Sequence, residues 1–596
     1  MKFHTSLALS VLACFVARTA TAQIPPGAGA GLRANGGEPR EVPQREAGRA
    51  NGEAQQQVQQ QREAQQRQAT VSAPGVRSGA PAGEGWPDLP AENPCFTIQA
   101  FSLEVPATLG AAQQAKGASA LSQDRFAFAR EWLGHYRGQC IGQKGLDVLA
   151  KGLQRVILSH GYITTRAMLP VQDLSGGTLK FALVPGVIRH LKFADASTRG
   201  TWKSAFPARD GDVLQLRELE QGLEQMKRVP NQDADMQIVP GEGLGESDVV
   251  INVKRTKPWT LAVSANDSGL RETGRYMGSV TLGLYNLLGI NDILSAGYTQ
   301  DMQFGDHGLG MHGWNASYSV PWGYWTGTVY GYTNTYYQQI AGVNQSFTAS
   351  GNAQTVGLRL ERVVHRSQND VSGVEVQFIR RFGASFIEDT EILQQRRDNT
   401  FIEAGLTNRH YFGRAQFDGA LAYRQGLGWL GATPETGSGP TYRFHMALLD
   451  ANLSVPFGIG KLALRYVATV HGQFTNDELN YIDDLTIGSR YTVRGFSGET
   501  MLAAEKGFYW RNELQLALWH TGQTVYAGLD YGRLWGPFTA YLAGTQLAGA
   551  VVGLRGGVPA KTGTYGYDVF MGTPVYAPRG FPASRVTLGF QLTAQF

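Results

Sequence analysis

Cysteine is scarce: three residues in a chain of 596, and Cys14 falls in a leader-like stretch. That excludes a disulfide-dense scaffold, and Cys95 and Cys140 lie too far apart for a Cys-x-x-Cys redox or zinc site. No run of about 20 apolar residues is present, which excludes a transmembrane helix. With 42% hydrophobic residues the chain is either soluble or a β-barrel, whose lipid-facing residues are diluted by alternation. A net charge of +4 is too small at this length to argue for nucleic acid. Catalytic signatures are missing as well: there is no Gly-x-Ser-x-Gly, no His-Glu-x-x-His and no persuasive carboxylate pair. No enzyme is expected, and neither a metal nor a cofactor. The literal fingerprint Gly308-Leu-Gly-Met-His-Gly313 opens onto Trp314-Asn-Ala-Ser-Tyr318, a strand, which excludes a dinucleotide fold.

What the chain has is glycine, 75 residues of it, with 24 tyrosines and 11 tryptophans, a balance that leans towards a barrel. Lys2 and His4 precede the apolar run Leu7–Val16, and Thr19-Ala-Thr-Ala22 ends in small residues. This predicts a signal peptide over 1–22 and an exported chain, in which Cys95 and Cys140 most simply form one disulfide. Closing that loop would stabilise its domain by roughly 4 kcal/mol on the chain-entropy view. Residues 53–68 are rich in Gln, with good helix formers but no apolar stripe. They read either as a disordered low-complexity tract or as a polar helix in a water-filled lumen. A Pro/Gly-rich linker covers 69–92.

From Cys95 the pattern is β-α-α-β-β: a strand at 96–103, helices at 122–139 and 143–160, strands at 162–168 and 178–184. It repeats with a strand at 187–193, a short helix near 199–206, a helix at 215–228, and strands near 235–239 and 248–254. Residues 256–596 then alternate in short strands, ending in Val586, Leu588, Phe590, Leu592, Ala594 and Phe596 on one face. At about 21 residues per strand and connection, this part holds roughly 16 strands. Short turns are expected at 286–292 and 320–324, longer loops at 301–307 and 335–352.

One loop carries its own chemistry. Ile487-Gly-Ser-Arg-Tyr-Thr-Val-Arg-Gly-Phe496 sets Arg494 in a tight glycine turn, and Leu529-Asp-Tyr-Gly532 places Asp530 on a strand. A solvated Asp beside a plain turn is the simple alternative. An Arg–Asp pair follows if the loop folds back inside a barrel.

The runs Gly161-Tyr-Ile-Thr-Thr-Arg166, Pro170–Leu174 and Val184-Pro-Gly186 resemble the first POTRA domain of two-partner secretion translocators. Leu214–Met226 and Met236–Gly241 resemble the second. The resemblance implies an α+β pair of periplasmic POTRA domains followed by a transmembrane antiparallel β-barrel of 16 strands. It implies a plug helix and linker at 23–92, POTRA domains at 93–186 and 187–255, and the barrel at 256–596. Val493, Arg494, Gly495 and Phe496 would form the lumen-loop tip, with Asp530 and Gly532 on the wall. Cys95 and Cys140 fall where many members carry two cysteines, and Phe596 would belong to the C-terminal assembly signal. The implied function is secretion, across the outer membrane of a Gram-negative bacterium, of an unfolded exoprotein recognised by the POTRA domains: an adhesin, a haemolysin or a contact-dependent toxin. Outer-membrane lipid, periplasmic chaperones and the barrel-assembly machinery would be further partners; nucleic acid would not. The alternative is a POTRA-barrel factor that inserts other outer-membrane proteins.

Overall fold

The computed structural model describes residues 56, 58–69, 71–79, 85–110, 113–114, 124–304, 308–341, 346–435, 437, 439–518 and 521–596. The expected signal peptide at 1–22 lies outside them. Residues 58–69 form a helix, α1, as good helix formers without Gly or Pro allow.

The first α+β unit holds β1 (Phe96–Thr97), β2 (Ala100–Glu104), α2 (Ala127–Gly134), β3 (Cys140–Ile141), α3 (Gln143–Ser159), β4 (Arg166–Met168) and β5 (Thr178–Val184). Its sheet runs β2-β5-β4, the first pair parallel and the second antiparallel. Leu149, Leu153, Val156 and Ile157 of α3 are buried against Leu179, Phe181 and Leu183 of β5. Cys95 and Cys140 are bonded to each other beside the short β1–β3 ladder, with Cα atoms 5.4 Å apart. The expected strand over 162–168 is confined to β4, because Thr165 is buried and its Oγ1 accepts the Gly186 amide.

The second unit repeats the plan with β6 (Val187–Phe193), α4 (Leu216–Lys227), β7 (Gln232–Pro240) and β8 (Glu246–Arg255), in sheet order β6-β8-β7. Gln215 caps α4, its side chain accepting from the amides of Arg217 and Glu218. On β8, Asp248 receives hydrogen bonds from Arg189 and Lys192, which hold its carboxyl well below the usual carboxylate range. The helix expected near 199–206 does not form. Its residues are turns that bond to the barrel instead: Thr201 N donates to Gly289 O and Ser204 Oγ to Ile290 O. Buried Asn291 returns a bond from Nδ2 to Thr201 O, and Gln221 and Gln225 of α4 donate to Gly323 O. These contacts seat the unit on the barrel turns at 286–291 and 323.

Sixteen antiparallel strands, from Trp259–Asn266 to Thr587–Gln595, close into a barrel. The last pairs with the first over five positions, Gln591 opposite Asn266 through Gln595 opposite Ala262. Phe596 extends that seam, its N–H donating to Leu261 O. Val280, Leu282, Leu588 and Leu592 face outward. The long loop expected at 335–352 is largely strand: Trp325–Ala341 and Ser346–Arg366 run through it, and Asp370–Ile387 pairs alongside. Alternating Thr and Tyr residues keep the ladder going there.

Candidate functional site

The chain leaves the strand Leu462–Thr475 and does not stay outside: residues 476–505 fold back into the lumen before the strand Lys506–Leu518. A small hairpin stiffens this loop, Leu485–Ile487 pairing with Leu502–Ala504. Its apolar side chains make a core of their own, in which Leu485, Ile487, Val493, Phe496 and Leu502 pack on the wall residues Tyr509, Leu534 and Leu547. Gly495 has φ +100°, which glycine alone adopts without strain, and a Cβ there would lie 2.5 Å from Thr573 O.

The tip can approach so closely because the wall beneath it lacks side chains. A Cβ on Gly549 would sit 1.8 Å from Arg494 O, and one on Gly572 would be 2.8 Å from Gly495 Cα. Gly532 leaves the space filled by Val493 and Ile487. Gly549 also stands opposite Asp530 in the ladder, so the guanidinium reaches that carboxylate unobstructed.

Every nitrogen of Arg494 donates. Nε donates to Asp530 Oδ2 at 2.7 Å and Nη2 to Oδ1 at 2.9 Å, a two-pronged pairing that lysine cannot make. Its backbone N–H reaches the same Oδ2 at 3.0 Å, and Nη1 donates to Glu513 Oε2. Asp530 is fully buried and Arg494 is 5% exposed, so the carboxylate is shut off from the lumen. The loop core and glycine bed shield the carboxylate, while Arg494 and Glu513 also border the lumen cavity. Glu513 also meets Arg555. Arg490, earlier in the loop, donates to Asp267 Oδ1 at 2.9 Å, and that oxygen takes the Phe590 amide as well. The loop therefore ties together both sides of the seam between first and last strands.

Beside the loop lies α1. Gln60 pins the two together: its amide donates to Thr486 Oγ1, and its Oε1 accepts from Ser489 Oγ at 2.6 Å. Gln56 Nε2 donates to Tyr481 O. Towards the other wall, the Arg62 guanidinium stacks 3.7 Å over the Tyr332 ring and Arg67 lies 3.5 Å from Asp450. A cavity of about 1000 Å³ remains around the helix. Among the described residues, no group of three or more His, Cys, Asp or Glu side chains is arranged to hold a metal ion.

Arg494, Asp530, Val493, Gly495, Phe496 and Gly532 thus converge, while Cys95–Cys140 and Phe596 stand apart in the first α+β unit and at the seam. Sequence reasoning misses Glu513, Gly549, Gly572 and the Arg490–Asp267 pair. Glu513 had a usable signal, since Arg511 and Glu513 alternate with outward-facing Trp510 and Leu514.

A loop pinned inside a barrel next to two small α+β units is a distinctive assembly, and comparison with known proteins places it. The family of haemolysin secretion/activation proteins ShlB/FhaC/HecB matches residues 245–556, and POTRA families match 114–186 and 187–240. The chain belongs to this family. It is 61% identical over 92% of its length to the outer membrane transporter CdiB-2 of Burkholderia pseudomallei, 95% of which is covered. It is 26% identical, over 66% of its length and 71% of the relative's, to the hemolysin transporter protein ShlB of Serratia marcescens. The structure of CdiB from Acinetobacter baumannii superposes with a TM-score of 0.79 at 25% identity, covering 92% of this chain and 99% of that one. The family member described here is a two-partner secretion transporter of the outer membrane, with its POTRA domains in the periplasm. The alternative of a barrel-assembly factor has less support, since these relatives are transporters.

Proposed function

We propose that this transporter passes one unfolded exoprotein, of the kind carried by CdiB-type transporters, through the barrel lumen, with α1 as the resting plug and the Arg494 loop as the fixed lining. The observation that carries this reading is the buried Arg494–Asp530 pair, with Glu513 on its lumen side, which holds the loop so that only α1 needs to leave. The POTRA domains recognise the partner as an extended chain, by strand addition at a sheet edge. Outer-membrane lipid meets the outward apolar belt, and periplasmic chaperones and the assembly machinery deliver the barrel, reading its last strand up to Phe596. The chain transports without catalysing a reaction. It matures by loss of 1–22, leaving a plug and linker at 23–92, POTRA domains at 93–186 and 187–255, and the barrel at 256–596.

The test compares surface-displayed and released proteins from cells carrying the native chain or Arg494→Ala, at matched barrel levels. Loss of one large protein, with other outer-membrane proteins unchanged, is expected. A fall of many barrels together would favour assembly, and no change would remove the loop from the transport mechanism.

A further inference from the structure

Between α1 and the first POTRA domain, residues 71–79 cross the periplasmic mouth without helix beyond Ser72 or strand pairing. They run in a groove formed on one side by α4 and on the other by the barrel around Arg366, Arg409 and Gln416. What grips them is mostly aimed at main chain. Glu224 Oε2 accepts the Val76 amide at 3.3 Å, and Glu220 Oε1 accepts the Ser78 amide at 2.6 Å. From the barrel side, Gln416 donates to Val71 O at 3.2 Å, Arg409 to Ala73 O at 3.1 Å, and Arg366 to Val76 O at 3.4 Å. Side chains of the segment add two contacts: Val76 packs on the apolar core of the second unit, and Arg77 lies 3.9 Å over the Tyr411 ring.

The groove is preorganised. Arg217 holds Glu220 at 2.8 Å and Arg366 holds Glu224 at 2.8 Å, so both carboxylates keep their places without the segment. A cavity of about 210 Å³, lined by Pro74, Gln225, Tyr324 and Val371 among others, remains beside it. The lumen cavity reaches Val71, Ser72 and Ala73, so the groove opens towards the pore.

We propose that this groove is a receptor for an extended segment of the exoprotein, and that residues 71–79 occupy it as a resident stand-in. Five of the seven contacts read peptide groups, which every extended chain presents, and an unfolded exoprotein supplies them. The site differs from strand addition at a sheet edge, because side-chain carboxylates and guanidinium groups do the binding. It rests on the transport reading for the identity of its occupant but not for its ability to bind peptide. Release of 71–79 would free the tether of α1, so filling the groove and unplugging the pore are one exchange.

The probe is a fluorescein-labelled peptide, Val-Ser-Ala-Pro-Gly-Val-Arg-Ser-Gly, added to the purified full chain in detergent micelles. The resident segment competes at an effective concentration on the order of millimolar, so the native chain should bind weakly. Ser78→Pro removes the resident amide that Glu220 accepts, and should tighten peptide binding about tenfold as the groove becomes free. Adding Glu224→Ala, which removes the acceptor, to Ser78→Pro should abolish that gain, with the barrel's heat-modifiable migration and the POTRA circular dichroism unchanged. The same peptide N-methylated at the residues matching Val76 and Ser78 should not bind. Equal binding to the native chain and Ser78→Pro, insensitivity to Glu224→Ala, or retained binding of the N-methylated peptide would each overturn the proposal. None of these readouts requires export, so they stand or fall apart from the transport test.

Discussion

The loop 476–505 and the helix 58–69 share one lumen and are held in it by different means. The loop has an apolar core, a glycine bed and a buried ion pair. Helix α1 is held by glutamine amides, a cation–aromatic stack and a partly exposed ion pair around a large cavity. Breaking a dry ion pair leaves buried charge and costs about 3–5 kcal/mol, whereas a neutral hydrogen bond traded for water is worth about 1 kcal/mol. The first kind of attachment fixes a part; the second lets it come and go.

Arg494→Ala should have the largest effect, stranding the buried Asp530 while Glu513 keeps Arg555, and releasing the loop at a local cost of about 3–5 kcal/mol. Surface display of the partner should vanish while the barrel stays folded, and Arg494→Lys should recover only part of it. Next is Gly549→Ala, whose Cβ collides with the backbone carbonyl of Arg494. Protease sensitivity of the loop should rise and export fall, though no charge has changed; an inert Gly549→Ala would remove the glycine bed from the comparison. Gln60→Ala should act on the other insert, raising single-channel conductance events a few-fold for roughly 1 kcal/mol of lost bonding, with export retained. If it stopped export instead, α1 would belong with the fixed parts.

The smallest effect is expected at an ion pair outside the pore, a reference for both inserts. Arg189 and Lys192 depress the Asp248 carboxyl, so its contribution is complete above the unfolded value near pH 3.9 and is lost as pH falls through the lower folded value. Thermal melts of the full chain should show the second POTRA domain softening with acid, and Asp248→Asn should flatten that dependence. Water around Arg189 and Lys192 keeps the change small.

The sequence shows the parts of this architecture whose signal is periodic or chemically unusual. Alternation from residue 256 onward predicts the barrel, and the helical spacing of Leu149, Leu153 and Val156 predicts α3. Arg494 and Asp530 stand out because charge is costly where they sit. Gly549 and Gly572 do not, because the chain has 75 glycines and only the packed wall reveals which two receive the loop tip. The helix expected at 199–206 is cut to a single turn, Phe206 N donating to Trp202 O, while Thr201 and Ser204 bond to Gly289 and Ile290 of the barrel. Strand continuation through 335–341 and 346–352 is hidden because polar Thr, Gln and Asn residues look like loop unless they are known to line an extended wall.

That wall has a consequence for the cell surface. The strands Trp325–Ala341, Ser346–Arg366 and Asp370–Ile387 run 17, 21 and 18 residues. Tilted about 40° and rising about 3.3 Å per residue, 21 residues climb about 50 Å along the membrane normal, about twice the height of the apolar band. Arg366 pins their inner end to α4, so the surplus stands on the outside. One flank of the mouth is thus a parapet, and a polypeptide emerging there touches protein on that side before it meets open medium.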